Sequence, residues 1–157
     1  GWIEEHGSLD AYPDAQHVSN SDLLELPCDV LVLAALEDQI TADNAGRIDA
    51  KMVAEGANGP TTVEADAILA DRGVVVLPDI LTNAGGVTVS YFEWVQDLGR
   101  LFWGRDEIRD KLAEQICDAF DRVWDLSDQL GVTLRQAALV AAIREVAGAL
   151  TARGIYP

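Results

Sequence analysis

Three short apolar runs punctuate the first half of the chain, and helical spacing takes over in the second half. Cys28-Asp29-Val30-Leu31-Val32-Leu33-Ala34-Ala35 is nearly continuous in apolar and β-branched residues, which predicts a strand buried on both faces. Lys51-Met52-Val53-Ala54-Glu55 predicts a second strand, and Val74-Val75-Val76-Leu77, ended by Pro78, a third. The intervening segments carry helix-start signals. Ser19-Asn20-Ser21-Asp22 ahead of Leu23-Leu24-Glu25-Leu26 predicts a capped single turn. A short helix is expected after Thr41, with the Thr41 hydroxyl capping free amides. Thr61-Thr62-Val63-Glu64 reads as a capping box, with Thr61 as N-cap and Glu64 reaching back. That helix should run to about Asp71 and be closed by Gly73. Residues 1–20 are polar and irregular.

Strands alternating with helical segments are the rhythm of βαβ units with right-handed crossovers and a parallel sheet. Ligands of such sheets sit at the carboxyl ends of the strands. Here those ends are Ala34-Ala35, Glu55 to Pro60 and Pro78 to Gly86. From Gly86 onward the pattern is helical. Val87 to Phe102 forms one segment. Ile108, Leu112, Ile116, Phe120, Val123 and Leu130 then define an apolar face, and Gly131 ends that helix. Thr133-Leu134-Arg135-Gln136 is a second capping box. It opens a small-residue helix in which Ala138, Ala141 or Ala142, Val146 and Leu150 should pack closely, up to Gly154. The expected class is α/β, a partial parallel sheet of about three strands over residues 1–79 followed by C-terminal helices over 80–157 on the same domain.

Composition narrows the function classes. Apolar residues make up 49% and charged residues 24%, ordinary for a globular domain. No apolar run approaches the roughly 20 residues a bilayer span requires, so no membrane partner is expected. No secretion signal is evident, and a cytoplasmic location is expected. Gly1-Trp2-Ile3-Glu4-Glu5 and the lack of an initiator Met look like a cut through a longer protein. Cys28 and Cys117, with His6 and His17, have no disulfide-framework or metal-ligand spacing, so no metal site is expected and the thiols read as free and buried. The net charge of −16 argues against a nucleic-acid partner. Seventeen Asp and ten Glu face nine Arg and only two Lys, Lys51 and Lys111. Acidic residues in place of surface lysine point to adaptation to concentrated salt, which screens self-repulsion.

Two loops carry unusual chemistry. In Glu55-Gly56-Ala57-Asn58-Gly59-Pro60-Thr61-Thr62 the glycines permit close backbone approach. The Asn58 amide either serves a ribose hydroxyl or carboxamide, or bonds only to the backbone of its turn. In the segment from Asp79 to Trp94, Gly85 and Gly86 open a helix whose free amides suit an anionic or electron-rich ligand. Ser90 lies four residues after Gly86, and its hydroxyl either faces that space or bonds its own helix. Neither loop holds a nucleophile–base pair. Glu55 is read as structural, and Trp94, Trp103 and Trp124 as core or interface anchors.

The runs A-A-L-E-D-Q-I-T from Ala34, E-G-A-N-G-P-T-T from Glu55 and P-D-I-L-T-N-A-G-G-V-T-V-S-Y-F-E-W from Pro78 resemble the nucleotide-binding domain of glutamate dehydrogenases. The likeness continues through Arg122-Val123-Trp124 and Leu134-Arg135-Gln136-Ala137-Ala138 to Arg153-Gly154-Ile155-Tyr156-Pro157. It implies a partial Rossmann-type, dinucleotide-binding unit using NAD or NADP. Ala34 and Ala35 match the strand end beside the cofactor ribose, Asn58 a residue near the nicotinamide ribose, and Asn83 one near the nicotinamide. Val87 and Ser90 match positions lining the substrate pocket, where Ser90 would bond the distal carboxylate of glutamate. The resemblance implies hydride transfer from glutamate Cα, with 2-oxoglutarate and ammonia as products, in a homo-oligomer, a hexamer, of the full-length enzyme. The family's glycine-rich phosphate loop, and the substrate domain bearing its catalytic lysine and aspartate, are expected upstream of Gly1. No catalytic residue is therefore expected among these residues, and the chain alone is expected to be inactive.

Overall fold

A computed structural model of the chain describes residues 1–9 and 12–154; the final Ile155-Tyr156-Pro157 of the C-terminal motif lies outside the described residues. Strands β1 (Cys28–Leu33), β2 (Ala50–Glu55) and β3 (Val75–Leu77) form a parallel sheet in the order β1-β2-β3. Leu33 pairs with Glu55, and Ala54 with Leu77. The α/β class and the three parallel strands are as the apolar runs predict.

The two faces of the sheet are covered unequally. On one face Leu31 and Leu33 of β1, Val53 of β2 and Val76 of β3 pack with Leu24, Ile48, Ala65 and Leu69. On the other, Val75 and Leu77 of β3 meet Leu81, Val123, Leu134, Ala137 and Ala138. That second layer stops short of β1, where Val30 and Val32 are 51% and 61% exposed. The prediction of a strand buried on both faces is thus corrected. Alternation along the strand sends Val30 and Val32 to the uncovered side.

Short helices α1 (Trp2–His6) and α2 (Asn20–Leu24) precede the sheet. α1 lies in the stretch read as irregular; Trp2 stacks on His6, and Gly7 ends it at φ 77°. α2 is capped as expected, the Ser19 hydroxyl accepting from the Asp22 amide. Between β1 and β2 only a 3-10 turn forms, Ala45–Arg47. The Thr41 hydroxyl does accept the Asp43 amide, at 3.3 Å, but Asn44 precedes the turn. Helix α3 (Val63–Asp71) follows β2. Its N-cap is Thr62, not Thr61: the Thr62 hydroxyl accepts the Ala65 amide. Thr61 is committed to a parallel bridge with Ile40, and its buried hydroxyl has no hydrogen-bond partner among the described residues.

Beyond β3 come α4 (Asp79–Thr82), α5 (Gly85–Gly99), α6 (Arg105–Leu130) and α7 (Leu134–Arg153). The helix expected over Val87 to Phe102 therefore starts and stops slightly earlier; Arg100, at φ 52°, turns the chain out of it. On α6, Val123 is buried and Ile108, Leu112, Ile116 and Phe120 are half-buried, whereas Leu130 is exposed in the last turn. The Thr133–Gln136 capping box forms as read. Close packing of α7 is confined to Leu134, Ala137 and Ala138; Val146 and Leu150 are exposed. A 20-residue helix is about 30 Å long, whereas a three-residue strand spans about 10 Å, so α7 outruns the sheet.

One side-chain reading changes, that of the thiols. Cys28 and Cys117 are exposed rather than buried: Cys28 begins an edge strand and Cys117 lies on the outer side of α6. Trp103 packs edge-on to Phe92 at 5.8 Å with the Lys111 ammonium 4.9 Å over its ring. Trp94 and Trp124 are 57% and 46% exposed and are not core. Among the described residues no helix is long and apolar enough to cross a membrane.

Candidate functional site

The carboxyl ends of β1 and β2 open into a cleft of about 620 Å³ lined by Ala35, Leu36, Glu37, Gly56, Ala57, Asn58 and Asn83. Small residues are needed on its floor. A Cβ on Gly56 would stand 3.2 Å from the Ala34 Cβ, closer than ordinary contact. The Ala57 amide donates to the Leu33 carbonyl at 2.8 Å, so the loop stays tied to β1 as it leaves the sheet. Gly59 then turns the chain at φ 55°, a left-handed conformation that glycine adopts without strain.

Asn58 comes from the loop after β2, and Asn83 caps the C-terminal end of α4. The Asn83 Nδ2 donates to Asn58 Oδ1 at 2.6 Å. The Asn58 amino group and the Asn83 carbonyl keep their remaining capacity, so the pair offers a donor and an acceptor side by side. That suits a carboxamide or a ribose hydroxyl. Of the residues singled out in the sequence, Ala35, Asn58 and Asn83 line the cleft, and Ala34 stands beside Gly56 at its edge.

Val87 and Ser90 do not line this cleft. They lie three residues apart on α5 and are both exposed, Val87 by 70%. The Ser90 hydroxyl donates to the Gly86 carbonyl at 3.1 Å, the local of the two options left open by the sequence. To donate to a ligand carboxylate it would exchange that bond. Helix α5 has no side-chain cap at its start, which leaves the first amides of the Gly85-Gly86 turn available.

A charged cluster lies beneath the loop. Glu55 is fully buried at the end of β2. Its Oε1 accepts from Arg135 Nη2 at 2.7 Å, and its Oε2 accepts the Asp79 amide at 2.9 Å. Arg135 also meets Asp66 at 3.2 Å and Asp79 at 3.4 Å. Burial pulls the Arg135 pKa down, but the bonds to Glu55 and Asp66 outweigh it and hold the guanidinium above its ordinary value. The structural reading of Glu55 agrees with this. Arg135, Asp66 and Asp79 were not recognised from the sequence. One signal was available: an arginine in the first turn of a helix opposes the helix dipole, so its presence there calls for carboxylates nearby.

Residues 2–154 match the family model for glutamate/leucine/phenylalanine/valine dehydrogenases. The chain is 54% identical over 154 residues to a glutamate dehydrogenase of Thermotoga maritima, a match covering 98% of this chain and 37% of the relative. It is 46% identical to an NAD-specific glutamate dehydrogenase of Clostridioides difficile, over 99% of this chain and 37% of that one. It is 50% identical to an NADP-specific one of Synechocystis, over 88% and 32%. The fold superposes on a hetero-hexameric glutamate dehydrogenase of Thermus thermophilus with TM-score 0.87 and 35% identity, covering 99% of this chain and 36% of that chain. The chain thus spans about a third of the length of the relatives it matches.

Proposed function

The chain belongs to the glutamate/leucine/phenylalanine/valine dehydrogenase family, and from that premise we propose that it is the C-terminal part of the Rossmann-type cofactor domain of a glutamate dehydrogenase. The activity is the NAD- or NADP-dependent, reversible oxidative deamination of L-glutamate to 2-oxoglutarate and ammonia. The observation that carries the cofactor reading is the Asn58–Asn83 pair at 2.6 Å over a floor of Ala35, Gly56 and Ala57. The cleft volume lies within the range of about 300–1,000 Å³ usual for ligand sites. When bound, the nicotinamide supplies the hydride acceptor. This chain binds and orients: Ala34 and Ala35 leave room beside the ribose, and the two carboxamides fix the ring end of the cofactor. Catalytic proton transfer is assigned to no residue here, in keeping with a division in which 1–79 carry the cofactor unit and 80–157 the helices.

Substituting Asn58→Ala removes one carboxamide and unties the other. It should raise the cofactor KM about tenfold, the size of one hydrogen bond to a ligand group. The measurement is glutamate-dependent reduction of NAD and NADP by a full-length protein carrying this chain. An unchanged cofactor KM would remove the assignment. A second reading, oxidation of an apolar amino acid, is favoured by one observation: the Ser90 hydroxyl is engaged by Gly86 and leaves the exposed Val87 as the neighbouring surface. A substrate panel in the same assay separates the two.

The same proposal includes a cytoplasmic location and a homo-oligomer, a hexamer as in the hetero-hexameric Thermus thermophilus neighbour, with Tyr91, Trp94 and Leu98 exposed on α5 as contact surface. Adaptation to salt has its own support. Asp106, Asp110, Glu114, Asp118, Asp121, Asp125 and Asp128 recur every three or four residues along the exposed side of α6. Like charges at that spacing repel one another. Raising KCl from about 0.1 M to about 1 M shortens the screening length from about 10 Å to about 3 Å. The melting temperature should climb by several degrees over that range, and a flat profile would exclude salt adaptation.

A further inference from the structure

The partly buried charge cluster below the cleft lies outside the cofactor reading, yet it connects to both of its asparagines, and Asp79 is the junction. The Asp79 Oδ2 accepts the Gly59 amide at 2.8 Å, one residue past Asn58. Its main-chain amide donates to Glu55 Oε2 at 2.9 Å, at the end of β2. Asp79 also begins α4, and its carbonyl accepts the Asn83 amide at 3.0 Å. One residue therefore bonds the loop that presents Asn58 and the helical turn that presents Asn83.

The bond to Gly59 has a particular value because of where it falls. Gly59 sits in the left-handed region at φ 55°, outside any helix or strand, so no secondary structure directs its amide. The acceptor that does so is a side chain from 20 residues further along. Asp79 in turn is held from the far side. Its Oδ1 accepts the Ile80 amide at 2.7 Å and faces Arg135 Nη1 at 3.4 Å. Arg135 stands in the first turn of α7, which is fixed by the Thr133–Gln136 capping box and by the buried Leu134, Ala137 and Ala138. The path runs from the packed start of α7 through Arg135 and Asp79 to Gly59, and so to the spacing of the asparagines.

We propose that Asp79 and Arg135 are positioning residues for the cofactor: Asp79 clamps the Gly56–Pro60 loop so that Asn58 meets Asn83, and Arg135 holds the Asp79 carboxylate in place. This rests on the reading that the asparagine pair takes the nicotinamide end. Neither residue touches the cofactor. Their contribution is preorganisation: with the Gly59 amide released, binding has to order the loop, and affinity falls by that entropy.

The test uses a full-length protein carrying this chain, with Asp79→Ala, Asp79→Asn, Asn58→Ala and the Asp79→Ala/Asn58→Ala double variant. Two readouts are independent of turnover: NADH and NADPH dissociation constants by fluorescence titration, and hydrogen–deuterium exchange of residues 56–59 without cofactor. Asp79→Ala should weaken cofactor binding about tenfold, as for loss of one ordering hydrogen bond, and speed exchange in this loop but not in β2 or α7. Asp79→Asn, whose amide oxygen still accepts from Gly59, should recover part of the affinity. Because Asp79 acts through the asparagine pair, adding Asp79→Ala to Asn58→Ala should cost less than about twofold more, and the glutamate KM should stay unchanged. Losses that multiply, or exchange that rises throughout the domain, would mean a general structural role and overturn the proposal. If Asn58→Ala weakens binding and Asp79→Ala does not, the positioning role alone falls. If Asn58→Ala itself leaves the dissociation constant unchanged, the asparagine reading falls, and the positioning role with it.

Discussion

Replacing Arg135 by methionine should destabilise the protein by about 3–5 kcal/mol, the usual cost of removing one partner from a buried ion cluster. The methionine stem fills much of the same space, so lost packing is a minor part of that figure. The larger part is electrostatic. Among the described residues Arg135 is the one cation paired with Glu55, Asp66 and Asp79, and Glu55 is fully buried. Without it, three carboxylates face each other across a few ångströms with little water to screen them. The check is the urea-unfolding free energy of the variant against that of the parent at neutral pH. A deficit below about 1 kcal/mol at neutral pH would show that the cluster behaves as a surface ion pair. Lysine at the same position keeps the charge but not the planar fork that reaches three carboxylates, and should recover only part of the loss.

Leu69→Ala should cost about 2–5 kcal/mol, the range for truncating a buried leucine in a core that collapses incompletely. Leu69 projects from α3 into the layer under the sheet, fully buried beside Ile48 and Val53, both of which are also fully buried. The site has little freedom to close. Val53 is fixed by strand pairing on both sides, and the carbonyl of Ile48 accepts from Arg72 at 2.7 Å. The expected signature is a lower urea midpoint with an unchanged slope. Leu139→Ala is the matching control. Leu139 is on α7 and 46% exposed, so its loss should stay within about 0.5 kcal/mol. Similar costs at the two positions would contradict the layer arrangement described for the two faces.

Much of this fold is written locally. The strands follow from short apolar runs bounded by turn residues, and the start of α7 from Thr133 and Gln136, whose reciprocal bonds need only a single turn of chain. The glycines at 56 and 59 and the asparagines at 58 and 83 identify the loops in which a ligand site is sought, because they permit close backbone approach and carry free donor and acceptor capacity at strand ends. Local signals fail where a neighbour distant in sequence competes for the same group. Thr61 carries the chemistry of an N-cap, but its pairing with Ile40 holds it extended, and the cap passes to Thr62. Val30 and Val32 have the composition of a buried strand, yet their exposure depends on how far α6 and α7 reach across the sheet. The Ser90 hydroxyl had two acceptors in prospect, and the helical geometry of α5 places the Gly86 carbonyl within its reach.

The amino-acid sequence by itself determined the three strands, the long helices after them, the family, and the loops that meet at the cleft, because each depends on residues near one another along the chain. Only the tertiary structure decided that Asn58 and Asn83 bond to each other, and that Glu55, Asp66, Asp79 and Arg135 gather beneath them. Those pairs are separated by up to 80 residues. Carboxylate and guanidinium spacing in sequence says nothing about such a meeting, which is set by the parallel register of β2 and β3 and by the angle at which α7 begins.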